Sequence, residues 1–365
     1  MTTKRSRTAI VAGLLLVLAL VAGACGTDDN STGAAAQSAD TTTPAGCAAG
    51  TLTGAGSTFV QNIEQQWAKD FQAACADATV SYQGVGSGAG IQQFTAGTVD
   101  FGATDAVMKP EEEQAASAKG GDVLHIPWSA GGIAVEYNLD GVDGLRLSPA
   151  ALAGIFAGKI TKWDDAALKA DNPGAALPST GIQVVHRSDG SGTTAALTAY
   201  LTAVAPDVWT AGSGKDVPWA AGQGAKGSDG VTALVKQTPG SIGYAEVSFA
   251  EQNGLGVAKV KNAAGTFVGP TAEAVAAALA GADVPADLKI KPNYAAADPA
   301  AYPISTPTWV VVFAKPADAA KARLLKAFLT YALTTGQRDA EKLFYAPLPS
   351  AIADKAKAAV ESIAS

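Results

Sequence analysis

The segment "HRSDGSGTT" at residues 186–194 concentrates side chains that could do chemistry. It holds one arginine, one aspartate, four hydroxyl side chains and two glycines. Three interpretations fit such a segment. It could carry a serine nucleophile, it could cradle an anion such as phosphate, or it could be a turn that simply requires flexible residues.

Two other stretches share the design of this segment, "TGAGSTF" at 53–59 and "GVGSGAG" at 84–90. In each of the three, a predicted strand runs into a Gly/Ser/Thr turn that opens a predicted helix. The first N–H groups of a helix lack internal partners and lie at the positive end of a dipole worth roughly half an elementary charge. Any one turn is weak evidence, because these residues are common caps, but three together indicate an anion site.

Catalytic motifs fit the chain poorly. A nucleophile elbow requires G-x-S-x-G, but Asp189 stands two places before Ser191 and Val85 two places before Ser87. His125 and His186 fall in predicted strands. Residues 222–227, "GQGAKG", match G-x-G-x-x-G without following a clear strand. We therefore expect no catalytic residues, no metal and no cofactor.

The elements that must position these turns alternate between strands and helices, which indicates an α/β class. Phe59, Ile63, Trp67 and Phe71 recur every four residues and predict one buried helix face. Residues 212–230 are rich in glycine and predict an irregular loop.

The amino terminus predicts export. Lys4, Arg5 and Arg7 precede a 16-residue apolar run that ends before Cys25. The run is shorter than the ~20 residues of a membrane span and is typical of a signal peptide, residues 1–24. Small residues before Cys25 resemble a lipobox and predict lipidation there, although Ala22 stands where leucine is usual; ordinary cleavage is the alternative.

Residues 25–47 lack any hydrophobic side chain larger than alanine except those of the cysteines, and predict a flexible tether. In an exported protein the remaining pair, Cys47 and Cys75, predicts a disulfide, with two free buried thiols as the alternative. The chain has 26 basic and 33 acidic residues. Removing residues 1–24 takes away three basic residues and no acidic ones, so the net charge falls from −7 to −10. A nucleic-acid partner is unexpected at that charge.

From about residue 50 to 350 the chain resembles the phosphate-binding proteins of the bacterial phosphate-specific ABC transporter. The matching stretches follow the family's order and include "LTGAGSTF", "YQGVGSGAGIQQFTAGTVDFGATDA", "GKITKWDD", "RSDGSGTT" and "GSIGYAE". The resemblance implies a two-lobed periplasmic-binding-protein fold (type II) with the ligand in the cleft. It places lobe 1 at 48–133 and 304–365 and lobe 2 at 134–303.

The resemblance also implies a ligand set. Arg187 would supply the positive charge, Asp189 would support Arg187, and Asp105 would accept the proton that phosphate keeps and sulfate lacks. Ser57 is not expected to be a ligand. N–H and hydroxyl donors would complete the cage, from Thr58, Phe59, Ser87, Ser191, Gly192 and Thr193.

The function that the resemblance implies is high-affinity, extracytoplasmic binding of inorganic phosphate and its delivery to an ABC permease. The expected partners are phosphate, the permease with its ATPase, and the lipid membrane through the anchor, with the protein a monomer. Two alternatives remain open, a secreted phosphate-ester hydrolase and a surface phosphate sensor of the same fold.

Overall fold

The computed structural model describes residues 47–365, which form an α/β fold. The predictions for Cys25, the signal peptide and most of the tether lie outside these residues. The strands are β1 (Gly50–Gly56), β2 (Ala78–Gly84), β3 (Phe101–Thr104), β4 (Val123–Asn138), β5 (Arg146–Leu147), β6 (Gln183–Arg187), β7 (Gln223–Ala225), β8 (Ser241–Glu246), β9 (Gly256–Val257), β10 (Lys259–Lys261), β11 (Phe267–Val268) and β12 (Ser305–Phe313).

The helices alternate with the strands, as the sequence predicts. They are α1 (Gln61–Ala74), α2 (Ser87–Ala96), α3 (Pro110–Gly120), α4 (Pro149–Phe156), α5 (Ala166–Asp171), α6 (Gly192–Val204), α7 (Gly227–Gln237), α8 (Val247–Asn253), α9 (Ala272–Ala280), α10 (Ala319–Ala332) and α11 (Ser350–Glu361). Two short 3₁₀ helices, Thr335–Asp339 and Glu341–Leu343, lie between α10 and α11. No helix within residues 47–365 is long and apolar enough to cross a membrane.

The main sheet runs through both halves of the fold in the order β2-β1-β3-β12-β4-β8-β6-β7. The long strand β4 connects the halves. Its residues 123–132 pair antiparallel with β12, and residues 133–138 pair antiparallel with β8. Within each half, strands β1, β2 and β3 and strands β6, β7 and β8 pair in parallel. A smaller sheet contains β5, β10 and β11.

The predicted apolar ladder is confirmed, with Phe59 in the turn before α1 and the other three residues on the helix. Phe59, Ile63, Trp67 and Phe71 are fully buried. Trp67 packs on Trp128 of β4, with ring centroids 5.5 Å apart, and Phe71 packs edge-on against Phe328 of α10. The four-residue spacing therefore places one helix face on the sheet and positions the turn that precedes α1.

The predicted disulfide between Cys47 and Cys75 is also present, with Cα atoms 5.5 Å apart. It ties the first described residue to the end of α1, so residues 47–49 are held against this half of the fold.

The prediction of one irregular loop over residues 212–230 is wrong in its second part. Gln223–Ala225 form strand β7, which pairs in parallel with β6, and α7 begins at Gly227. The glycines mislead because Gly227 adopts a positive φ of 74°, which starts the helix. The "KGSDG" stretch is thus a fourth Gly/Ser turn that opens a helix.

Candidate functional site

The predicted turns meet where β1, β3 and β6 end. In open α/β sheets, ligands bind beyond the carboxyl ends of the strands. The turn before α2 contacts the turn before α6, because the Gly88 N–H donates to the Gly190 carbonyl at 2.8 Å. The Gly192 N–H donates to Ser87 Oγ at 3.1 Å. Two turns separated by about a hundred residues therefore form one surface.

Asp105 follows β3 and lies at the centre of this surface. Its side chain is buried, and both carboxylate oxygens accept hydrogen bonds. Ser57 Oγ donates to Oδ2 at 2.6 Å, and Thr308 Oγ1 donates to Oδ1 at 2.8 Å. Burial raises the pKa of Asp105 to about 6. These hydrogen bonds and the charge of Arg187 act in the opposite direction.

Arg187 ends β6 and is held by a carboxylate. Its Nε donates to Asp189 Oδ1 at 2.7 Å and its Nη2 to Asp189 Oδ2 at 2.5 Å, a bidentate pair that fixes the guanidinium plane. Burial acts to raise the pKa of Asp189, but the hydrogen bonds and charge of Arg187 outweigh it and hold that pKa below its usual value. The predicted support of Arg187 by Asp189 is therefore present as a contact.

Gly192 and Gly86 lie where neighbouring groups approach the backbone too closely for a side chain. A Cβ on Gly192 would lie 2.5 Å from Ser87 Oγ and 2.7 Å from Asp105 Oδ2, so a side chain there would clash with both. Gly86 has a φ of 90° and lies against the Arg187–Asp189 pair. Glycine lets the backbone N–H groups come within reach of a small anion.

The start of α6 contributes polar groups of two kinds. Ser191 Oγ accepts a hydrogen bond from the Thr194 N–H at 3.0 Å and so caps the helix. Thr193 is buried and its Oγ1 has no hydrogen-bond partner within the described part of the chain. A buried hydroxyl without a partner costs free energy, which a ligand oxygen at this helix start would offset.

The first turn meets the start of α7, which the sequence interpretation did not include. Thr58 Oγ1 and Ser228 Oγ are 2.9 Å apart, and the Ser228 N–H donates to Thr58 Oγ1 at 3.1 Å. The Phe59 N–H donates to Ser57 Oγ at 3.0 Å. Thr58 and Phe59 are therefore buried at the same surface as Ser87 and Asp105.

Ser228 and Thr308 hydrogen-bond to residues of the predicted set and were missed. Ser228 had a usable signal, because "KGSDG" repeats the Gly/Ser pattern of the other turns. Thr308 had none, since it lies in the middle of an apolar strand 203 residues after Asp105. Ser57 was set aside as a ligand, and its hydroxyl binds Asp105 instead.

A cavity of about 590 Å³ lies beside Asp105 and follows one face of α6 past Ala195 and Ala199. Lys289 also lines it. Within residues 47–365, no group of three or more His, Cys, Asp or Glu side chains is arranged to hold a metal ion. The polar groups that converge here are N–H groups, hydroxyls, one guanidinium and the carboxylate of Asp105, a set suited to an oxyanion that carries a proton.

A family model described as a PBP superfamily domain matches residues 41–335. Phosphate-binding protein PstS of Xylella fastidiosa is 38% identical over 338 residues, which cover 90% of this chain and 91% of that protein. Phosphate-binding protein PstS 3 of Mycobacterium tuberculosis is 37% identical over 369 residues, which cover 99% of this chain and 100% of that protein.

Among solved structures, a high-affinity periplasmic phosphate-binding protein bound with phosphate at pH 8.5 matches with a TM-score of 0.70 and 25% identity. The match covers 85% of this chain and 93% of that one. The two-lobed architecture expected from the resemblance is thereby confirmed. The chain belongs to the PBP superfamily and, within it, to the PstS family of phosphate-binding proteins.

Proposed function

We propose that this protein binds inorganic phosphate with high affinity outside the cytoplasm and delivers it to an ABC permease for uptake. The single observation that carries the proposal is the pair of opposite charges at one buried surface. Arg187 can neutralise an anion, and Asp105 can accept a proton from it. Relatives that bear the name phosphate-binding protein support it.

The carboxylate is what points to phosphate rather than sulfate. Near neutral pH phosphate keeps at least one proton, which Asp105 can accept in a short charge-assisted hydrogen bond. Sulfate has no proton to donate and would place two buried negative groups face to face. A site whose polar group is left unpaired can reject a ligand by a factor of about 10⁴.

The proposed ligand set is the one that the resemblance implies. Arg187 anchors the charge and Asp105 selects the proton. Thr58, Phe59, Ser87, Ser191, Gly192 and Thr193 form the cage, and Asp189 supports Arg187. Their burial around the ends of β1, β3 and β6, together with the unpartnered hydroxyl of Thr193, supports this assignment.

The two lobes would consist of residues 48–133 with 304–365, and residues 134–303. The change of partner along β4, from β12 to β8 near Ile133, supports the first boundary. Two ion pairs would then hold the lobes together, Lys215 with Glu112 at 2.6 Å and Lys289 with Glu113 at 2.8 Å. In this arrangement the cleft would be closed.

Residues 1–24 would act as a signal peptide, with lipidated Cys25 and a tether over 25–47 holding the receptor at the membrane. The basic start, the apolar run and the small residues before Cys25 support this placement. The partners would be the permease and its ATPase, and the receptor would act as a monomer.

The contacts of Ser191 and His186 favour a binding protein over a phosphate-ester hydrolase. Ser191 Oγ is engaged by the Thr194 N–H. The nearest histidine in sequence, His186, stacks on Trp219 and pairs through Nδ1 with the Arg187 carbonyl. Release of product from a chromogenic phosphate ester that was abolished in Arg187→Ala would favour the hydrolase instead.

Isothermal titration of the chain from residue 47 with phosphate and sulfate at pH 7.5 tests the proposal. We expect tight, saturable phosphate binding and no measurable sulfate heat, with a melting temperature that rises with phosphate by mass action. Absence of phosphate binding, or equal affinity for the two anions, would refute it.

A further inference from the structure

Asp105 is held from two sides by neutral hydroxyls that come from distant parts of the chain. Ser57 lies after β1 and donates to Oδ2 at 2.6 Å, and Thr308 lies within β12 and donates to Oδ1 at 2.8 Å. Both side chains are fully buried or nearly so. Each carboxylate oxygen therefore has one hydroxyl donor that does not depend on a ligand.

These two contacts orient the carboxylate. The two oxygens of a carboxylate together offer about four acceptor sites, and Ser57 and Thr308 take one on each oxygen. On the ligand side Oδ2 faces the backbone of Gly192, where a Cβ would approach to 2.7 Å. Oδ2 therefore lies next to the turn before α6, where the proposed cage lies.

We propose that Ser57 and Thr308 are positioning residues that keep Asp105 ionised and directed at the anion, and that they thereby determine the pH below which the site stops discriminating phosphate from sulfate. This inference rests on the proposed phosphate-binding function. A protonated Asp105 would donate a hydrogen bond instead of accepting one, and sulfate could then receive it.

The balance at Asp105 explains why two hydroxyls matter. Burial raises its pKa to about 6, and the strongest opposing effects are the hydrogen bonds from Ser57 and then from Thr308, followed by the charge of Arg187. A hydrogen bond to a charged group favours the charged form. Loss of either hydroxyl therefore raises the pKa of Asp105 further and moves its protonation toward neutral pH.

Among the other titratable groups near Asp105, burial raises the pKa of Glu64 and of Glu246 to about 8, so both titrate at the upper end of this pH range in the unaltered protein and in the variants alike. Arg187 pairs with Asp189, and burial raises the pKa of Tyr82 and of Tyr345 well above its usual value, so both tyrosines stay neutral. Helices α2 and α6 present uncharged Ser87 and Gly192. Across the adjacent cavity lie Asp287, Lys289 and Lys291, of which Lys289 pairs with Glu113.

Thr308→Val provides the test, because valine keeps the shape and removes the hydroxyl. Phosphate and sulfate affinities are measured by titration calorimetry from pH 5 to 8.5. We expect the pH at which sulfate binding appears to rise by about one unit, and the phosphate-to-sulfate preference at pH 7 to fall about tenfold. Ser57→Ala should shift the profile in the same direction, and Thr308→Ser should restore it.

Thr306→Val is the matched control. Thr306 is buried on the same strand and lines the cavity beside Asp105, but its Oγ1 donates to the Pro307 carbonyl at 2.9 Å and not to the carboxylate. Its pH profile should equal that of the unaltered protein. Unchanged profiles in folded Thr308→Val and Ser57→Ala would overturn this inference while leaving phosphate binding intact. If Thr308→Val does not fold, Ser57→Ala decides alone. Failure of the unaltered protein to bind phosphate would refute the proposed function itself.

Discussion

Asp189 and Asp105 are two aspartates of one surface, and their surroundings differ. Asp189 accepts both hydrogen bonds of the Arg187 guanidinium, which holds its pKa low. Asp105 accepts from two neutral hydroxyls, and burial raises its pKa to about 6. One carboxylate therefore forms an ion pair with Arg187, whereas the other is held by neutral hydroxyls.

The difference separates two tasks in anion recognition. A carboxylate paired with arginine orients that arginine and leaves its remaining N–H groups for a ligand. A carboxylate held by hydroxyls stays available to accept a proton. A dianion without a proton would be attracted by Arg187 and repelled by Asp105. We therefore expect changes at Arg187 to alter affinity and changes at Asp105 to alter selectivity.

Arg187→Ala should have the largest effect, a loss of phosphate affinity. It removes the proposed charge anchor and leaves the partly buried Asp189 without its partner, and truncating one member of a hydrogen-bonded charge pair costs about 4 kcal/mol. We expect phosphate affinity to fall about a thousandfold in calorimetry. Arg146→Ala, at an exposed arginine on β5, should bind as the unaltered protein does. Retained affinity in Arg187→Ala would place the charge anchor elsewhere.

Asp105→Asn should mainly reduce the preference for phosphate over sulfate. The amide keeps the shape of the carboxylate, removes the charge and can donate a hydrogen bond to sulfate. The preference for phosphate over sulfate should fall about a hundredfold, measured as the ratio of the two dissociation constants. Asp140→Asn, in an exposed turn, serves as the control. Unaltered discrimination would mean that another group selects the anion.

Glu64 is a buried carboxyl that, unlike Asp105, has no hydroxyl donor within residues 47–365. Burial raises its pKa to about 8. Below pH about 4.5 both states are protonated. Between pH 4.5 and 8 the Glu64 carboxyl is ionised in the unfolded chain but still protonated in the folded protein. The free energy of unfolding therefore falls as pH rises from 4.5 to 8. Glu64→Gln should raise the melting temperature at pH 8 by a few degrees and leave it unchanged at pH 4.

Exposed Glu251→Gln is the control for that scan and should leave both melting temperatures unchanged. A pH-independent effect of Glu64→Gln would show that packing, and not ionisation, is responsible.

The ion pairs between α3 and the facing residues should have the smallest effect. Lys215 and Glu112, and Lys289 and Glu113, are partly exposed, and such pairs contribute at most about 1 kcal/mol. The double variant Glu112→Gln, Glu113→Gln should weaken phosphate binding a few-fold, less so at high salt. Exposed Glu111→Gln, in the same helical turn, is the control. An affinity unchanged at low salt would exclude a role of these pairs in closure.

Local patterns predicted much of the architecture. The spacing of Phe59, Ile63, Trp67 and Phe71 identified the buried face of α1, and the alternation of elements identified the α/β class. The turn before α7 was misassigned, because glycine favours both loops and helix starts. Pairing with β6 decided between them.

The amino-acid sequence alone identified the turns that could present N–H groups to an anion, because glycine, serine and threonine at a helix start leave these groups accessible whatever the rest of the fold. It also identified Arg187 and Asp105 as the charged candidates through resemblance. The tertiary structure alone decided how each aspartate is held. Thr308 lies 203 residues from Asp105 and Ser57 lies 48 away. Burial and hydrogen-bond partners shift a pKa through such contacts, which no local pattern encodes.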